Sequence, residues 1–286
     1  MRKRLLGSLA ASAVLFADAQ TAASDAAPPE ADCRQASNDC VAQGRWNFSL
    51  SLGGGVRTNP LLQGRDIPLV VIPQFSYYGR RFFIDNLDLG LTLAESDSNS
   101  LSLVASPGYD RVFFYRSELQ NIFVSGFAGA GAPPRIVPPD TPGAVQFPPR
   151  PRRITYLSGP EWTFKYRGIT GQLDLLHEIT GQNRGNEIRA ALRIPLVESQ
   201  VSLAANIGVT WKSAAIVNYY YGEPNFYQAG AALDPFIKLK FALPLGGKWQ
   251  FNAFVEYEQM GKGIANSPIV TEDHVVTCFI GATYTH

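Results

Sequence analysis

The chain has 286 residues, 45% of them hydrophobic, with 25 basic against 24 acidic side chains and a formal net charge of +1. That length allows one large domain or two small ones, and the charge balance excludes the basic footprint of a nucleic-acid-binding protein. Glycine and aromatic residues are plentiful while methionine and cysteine are scarce, and no stretch keeps the 3.6-residue apolar period of the long amphipathic helices usual in soluble enzymes.

The N-terminus reads as an export signal. "MRKR" is a basic segment, "LLGSLAASAVLFA" is an apolar run shorter than a membrane span, and "ADA" at Ala17–Ala19 offers small residues for cleavage. Residues 1–19 are therefore expected to be a signal peptide. Residues 20–45, rich in Ala, Pro, Ser and Asp, hold too little apolar surface to offset their ordering entropy and are expected to form a flexible periplasmic leader. Cys33 and Cys40 lie in it, seven positions apart. In an oxidising compartment they either close a small disulfide loop or stay as thiols, and two cysteines without a nearby histidine are too few ligands for a metal. Cys278 sits in an apolar row and is read as a small hydrophobe.

From Trp46 onward the apolar period is two. "EWTFKYR" sets Trp162, Phe164 and Tyr166 against Glu161, Thr163, Lys165 and Arg167. "NEIRAALRIPL", "VSLAANIGVTWK", "DPFIKLKFALPL" and "WQFNAFVEYEQ" alternate in the same way, Phe254 being the exception in the last. Such strands have one apolar and one polar face. Their length exceeds that of sandwich strands, aromatics gather near their ends (Trp46, Tyr77, Trp211, Trp249, Tyr257, Tyr284), and tight turns alternate with long loops. Together these predict an all-β fold, a transmembrane antiparallel β-barrel over residues 46–286 with about twelve strands. Tight links are expected near Gly79, Arg116–Ser117, Arg167–Gly168, Glu198–Ser199 and Gly246–Gly247, and longer ones at 58–66, 95–98, 129–151, 181–185, 213–233 and 261–273. The fifth strand, near 119–128, is the least regular, and losing it with a neighbour would leave ten. The closing "HVVTCFIGATYTH" puts His274, Val276, Cys278, Ile280, Ala282, Tyr284 and His286 in one row, expected to close the barrel against the strand that begins near Trp46.

"FSLSLGGGVRTNPLLQGRDIPLVVIPQFSYYGRRFFIDNLDLGLTL", "NYYYGE", "FNAFVEYEQMGKGIANSPIV" and the closing strand, in that order, resemble the MipA/OmpV family of MltA-interacting outer-membrane proteins. The resemblance implies a non-enzymatic protein of the bacterial outer membrane. It also implies a scaffold linking a lytic transglycosylase to a peptidoglycan synthase, other members being associated with adhesion, osmotic response and antibiotic susceptibility. A small diffusion channel is the alternative.

Residues able to carry chemistry are few, and no cofactor or metal is expected. The three histidines show no metal-binding spacing. Ser158 and His177 should meet across the turn at Arg167–Gly168, as an outer-membrane hydrolase would require, but the sequence shows no group to orient the imidazole and no nucleophile elbow, so no catalytic residue is assigned. The polar face mixes Glu161, Asp174, Glu178, Glu187, Glu256 and Glu258 with Lys165, Arg189, Arg193, Lys238 and Lys240. This suits either a lumen crossed by ion pairs, narrow or blocked, or a wet lumen of solvated charges, rather than a single-sign selective pore. Tyr219, Tyr220, Tyr221, Phe226 and Tyr227 fall in an outer loop, as a contact surface or a self-packed cap. Arg135, Arg150, Arg152 and Arg153, in and beside a proline-rich loop, are expected either to meet lipopolysaccharide or to stay solvated.

Overall fold

The computed structural model describes residues 43–62, 64–114 and 152–286. Their alternating apolar and polar side chains build twelve strands: β1 Trp46–Arg57, β2 Ile67–Tyr78, β3 Phe82–Asp85, β4 Asp88–Glu95, β5 Asn99–Pro107, β6 Tyr156–Tyr166, β7 Ile169–Glu178, β8 Asn186–Glu198, β9 Ser202–Lys212, β10 Ala232–Gly246, β11 Trp249–Gln259 and β12 His274–Thr285. Each pairs antiparallel with its sequence neighbours, and β1 pairs with β12, closing the barrel. The closing seam runs from Ser49 opposite Thr285 to Arg57 opposite Thr277. Closure satisfies every strand edge along this seam, which a bilayer requires because it offers no water to unpaired backbone groups. No helix among the described residues is long and apolar enough to cross a membrane.

Links 79–81, 96–98, 167–168, 199–201 and 247–248 gather at one rim, together with both ends of the barrel sequence. Short turns mark the periplasmic, inner rim of such barrels. The turn at Arg167–Gly168 shows the chemistry involved: both residues have positive φ, 50° and 81°, the backbone that two-residue hairpins demand. Links 179–185, 213–231 and 260–273 occupy the opposite, outer rim, as do the described parts of the β1–β2 link, 58–62 and 64–66, and of the β5–β6 link, 108–114 and 152–155.

The number of strands agrees with the alternation in the sequence, but their partition differs. The expected single third strand is broken at Asn86–Leu87 into β3 and β4. Asn86 takes φ 53°, its N–H donates to the Phe75 carbonyl at 2.8 Å, and its Oδ1 accepts from Phe75 N at 3.0 Å. An asparagine tolerates this left-handed backbone, and here it turns the chain back beside β2. The link at 95–98 is accordingly a tight inner turn, not an outer loop. The expected fifth strand near 119–128 and the tight link at Arg116–Ser117 lie outside the described residues, and β5 pairs directly with β6. The signal segment, leader residues 20–42 and the Cys33–Cys40 pair also lie outside them. Register shifts at Pro195/Val197 and Pro244/Gly246 fall beside prolines, which have no N–H to give the ladder.

Outward rows are apolar. Leu50, Leu52, Leu101, Leu103, Leu175, Ile237 and Leu239 are all exposed on the wall. The inner rim carries clustered aromatics, with Trp46 stacked on Phe48 at 5.9 Å and tilted against Tyr77 at 5.2 Å, and Trp249 tilted against Tyr284 at 5.2 Å. Tyr257 stacks on His274 at 5.4 Å nearer the outer rim. Apolar walls between aromatic rims match the headgroup and hydrocarbon levels of a bilayer. Phe254, which breaks the alternation of β11, points inward and stacks on Phe279 at 5.9 Å beside buried Leu69 and Ile72.

Candidate functional site

Two features of the barrel interior decide what it can do: a packed outer mouth and a polar lumen beneath it. The outer mouth is filled by three inturned segments. A 3-10 helix, Tyr109–Phe113, follows β5; helix α1, Ala214–Tyr221, lies between β9 and β10; and helix α2, Lys262–Ala265, lies between β11 and β12. Helix α1 buries Ile216, Val217, Tyr220 and Tyr221, a spacing that puts all four on one helical face. Eight residues are too few for a stable isolated helix, so packing holds it. Its partners are Val112 and Phe113 of the 3-10 helix, Ile264 of α2, and inward residues Ile67, Val104, Leu157, Leu176 and Val275 of the wall.

A buried ion cluster ties these segments together. Lys212, at the end of β9, places Nζ 2.8 Å from Asp110 Oδ1 and 3.0 Å from Asp234 Oδ2. Tyr221 OH donates to Asp110 at 2.9 Å, and Asp234 accepts from Gly261 N at 2.7 Å. Burial, reinforced by the Asp110 carboxylate, holds the Tyr221 phenol well above its ordinary pKa, so it stays a neutral donor. Arg152 adds a second tie: its Nε donates to the Tyr220 carbonyl at 2.7 Å and its guanidinium lies 4.1 Å from the Phe114 ring centre.

These positions bear on two pairs of alternatives that the sequence leaves open. Tyr220 and Tyr221 are 1% and 0% exposed, so they cap the mouth and offer no contact surface. Tyr219 is half-buried, with its hydroxyl accepting from Arg153 N at 2.8 Å. Tyr227 is half-buried and donates to the Gly263 carbonyl at 2.9 Å, while Phe226 stands exposed beside a cavity of about 560 Å³ lined by Asn218, Pro224 and Gln228. Arg152 is buried and cannot meet lipopolysaccharide, Arg153 is exposed, and Arg135 and Arg150 lie outside the described residues.

Below the plug the lumen mixes charges, as the polar face implies. Glu161 lies opposite Asp174, and Asp174 opposite Arg189, on successive strands. Gln172 Nε2 donates to Glu161 at 3.1 Å and to Asp174 at 3.0 Å. Arg189 pairs with Glu187 at 2.6 Å, Lys238 with Glu256 at 2.8 Å, and Arg57 with Glu258 at 3.6 Å. Lys165, Arg193 and Lys240 share the inward parity of these rows. Like charges sit side by side, and amide donors and neighbouring cations offset them. Glu178 is a correction: among the described residues it pairs with no lumen cation. Its carboxylate accepts from Thr180 N at 2.7 Å, Arg184 N at 2.9 Å, Asn183 N at 3.1 Å and the Thr180 hydroxyl, and so folds the β7–β8 loop. Glu178→Ala is expected to leave the wall intact but make residues 179–185 a cleavage site in limited proteolysis.

The sequence did not point to the Asp110–Lys212–Asp234 cluster, because Asp110 stands outside any alternating strand. Nor did it point to the inner-mouth polar groups, where Tyr78 OH donates to Asp85 at 3.0 Å. A cavity of about 230 Å³ opens there, its lining mixed between polar groups such as Asn47, Gln74 and Asp85 and the rings of Phe48, Phe75 and Tyr78. Among the described residues, no three His, Cys, Asp or Glu side chains are grouped to hold a metal ion. Ser158 and His177 are cross-strand partners on the outer wall, as the turn between them implies.

The family model described as "MltA-interacting protein MipA" matches residues 52–286. The putative outer membrane protein YiaT of Escherichia coli (strain K12) is 22% identical, over 82% of this chain and 90% of that protein. Outer membrane protein OmpV of Vibrio cholerae is 25% identical, over 37% of this chain and 44% of its own length. Among solved structures, the Vibrio cholerae outer membrane protein OmpT in its trimer form aligns with a TM-score of 0.36 at 8% identity, covering 85% of this chain and 100% of that one.

Proposed function

This chain belongs to the MltA-interacting protein MipA family, and from that membership we propose that it is an outer-membrane scaffold holding a murein-cleaving lytic transglycosylase, and through it a peptidoglycan synthase, at the periplasmic rim. One observation carries this reading: the outer mouth is filled by a packed, ion-tied plug, while a cavity of about 230 Å³ stays open at the inner mouth. A sealed outer end is poorly suited to a diffusion channel and leaves the periplasmic rim as the working face. That rim presents exposed Arg80 and Arg81 in the β2–β3 turn, a basic pair that attracts acidic surface over roughly a Debye length, about 8 Å at physiological salt.

The test is capture of purified lytic transglycosylase by the immobilised, folded barrel. Retention is expected. It should fall in the double variant Arg80→Glu/Arg81→Glu and stay unchanged in Phe226→Ala at the outer rim. A folded barrel that retains none of the enzyme contradicts the reading.

A further inference from the structure

The outward wall of β6, β7 and β8 carries one polar row in an apolar field. Ser158 pairs with His177, and His177 pairs with Asn186, on successive strands. Leu175, Ile179 and Ile188 flank the row on the same face, all exposed. The row lies close to the outer ends of its three strands, since β6 begins at Tyr156, β7 ends at Glu178 and β8 begins at Asn186. In a membrane this is the level of the outer leaflet's headgroups and acyl esters. Polar groups turned towards lipid are costly, and three in one row are an unusual choice for residues that only complete a wall.

The middle residue is oriented. His177 Nδ1 lies 2.8 Å from Asn186 Oδ1. The asparagine oxygen can only accept, so in this contact the proton sits on Nδ1 and Nε2 keeps its lone pair. This is the orienting group that the sequence did not reveal, because Asn186 stands across a loop from His177 and only the register brings them together. Cross-strand partners place the Ser158 and His177 Cα atoms about 4.5–5.5 Å apart. The Ser158 hydroxyl makes no hydrogen bond to the imidazole in this conformation. Such contacts often tighten only when substrate is bound.

We propose that Ser158, His177 and Asn186 form an acyl-hydrolase relay on the lipid-facing wall, acting on an acyl ester of a membrane lipid. Ser158 Oγ attacks the ester carbonyl carbon while its proton passes to His177 Nε2. The ester C–O bond then breaks, the leaving lipid alkoxide takes that proton, and the acyl group stays on Ser158. Water, the second reactant, attacks this acyl-serine and gives a proton to Nε2. The Ser158–acyl bond breaks, the proton returns to Ser158, and the fatty acid leaves. Asn186 is the positioning residue that holds the imidazole in the reactive tautomer throughout. The substrate enters sideways from the bilayer, so the plugged lumen is no obstacle and the relay is independent of any periplasmic partner.

The test measures fatty-acid release by the full-length barrel in two separate arms, phosphatidylethanolamine mixed micelles and lipopolysaccharide, which distinguish the two sources of an acyl ester. Release is expected in one arm. Ser158→Ala and His177→Ala should each lower it by about 100-fold or more, with heat-modifiable gel mobility unchanged. Asn186→Leu should lower it too, while Asn186→Asp should restore it, a pattern that mere wall packing would not produce. No release in either arm, or release that survives Ser158→Ala, overturns the proposal.

Discussion

Lys212→Met should release the outer plug. The Lys212 ammonium lies between the carboxylates of Asp110 and Asp234, and all three side chains are less than a tenth exposed. Removing it leaves two buried carboxylates facing each other, a change that costs about 3–5 kcal/mol when a buried pair loses one partner. The wall does not depend on this cluster, because its strands are tied by backbone ladders from β1 through β12. The loss should therefore fall on the inturned segments. The expected results are a folded, heat-modifiable barrel, new protease cleavage within 213–231, and ion conductance where the parent shows none. The triple variant Lys212→Met/Asp110→Asn/Asp234→Asn removes all three charges together and should recover much of the protection. Cleavage and conductance unchanged in Lys212→Met would show that apolar packing alone holds the plug.

Gly53→Val should prevent the barrel from closing. Gly53 faces Gly281 across the β1–β12 seam. A Cβ at this position would overlap the Ile280 carbonyl oxygen and come within 2.8 Å of the Phe279 ring. The obstacle is largely backbone on the partner strand, so no rotamer relieves it. The adjacent Leu52/Gly55 register shift already bends β1 here, and bulges of this kind are where a barrel adjusts its closure. The expected result is loss of the heat-modifiable form and degradation of the exported chain. Gly54 is the control: a Cβ there meets nothing within 4 Å, and Gly54→Ala should assemble normally. Equal assembly of Gly53→Val and Gly54→Ala would refute the steric account of the seam.

Much of the wall was legible because a side chain on a barrel strand has only two directions. Wherever a period of two persists, as in β8 to β12, parity alone predicts which residues meet lipid and which meet the lumen. The same rule misled at β3 and β4. Phe82, Leu89, Leu91 and Leu93 are all exposed, yet Phe82 and Leu89 are seven positions apart, so the outward parity changes across Asn86, a shift that one continuous strand cannot make. The plug was less legible. Its residues come from loops whose spacing obeys no strand period, and the tyrosines of "NYYYG" look the same whether they face solvent or fold inward. Their burial follows from the helical face made by Ile216, Val217, Tyr220 and Tyr221, an eight-residue helix too short to stand out. The His177–Asn186 contact was invisible for a different reason. It depends on the register of two strands across a loop, which the backbone ladder from Thr170 opposite Arg193 to His177 opposite Asn186 sets.

A barrel closed at its outer mouth and working at its periplasmic rim should not conduct. Single-channel recording of the purified protein in planar bilayers tests this. A quiet membrane is expected, without steady conductance steps, and conduction is expected to begin when Lys212→Met is used instead. Large, steady steps from the parent protein would mean an open lumen and would contradict it.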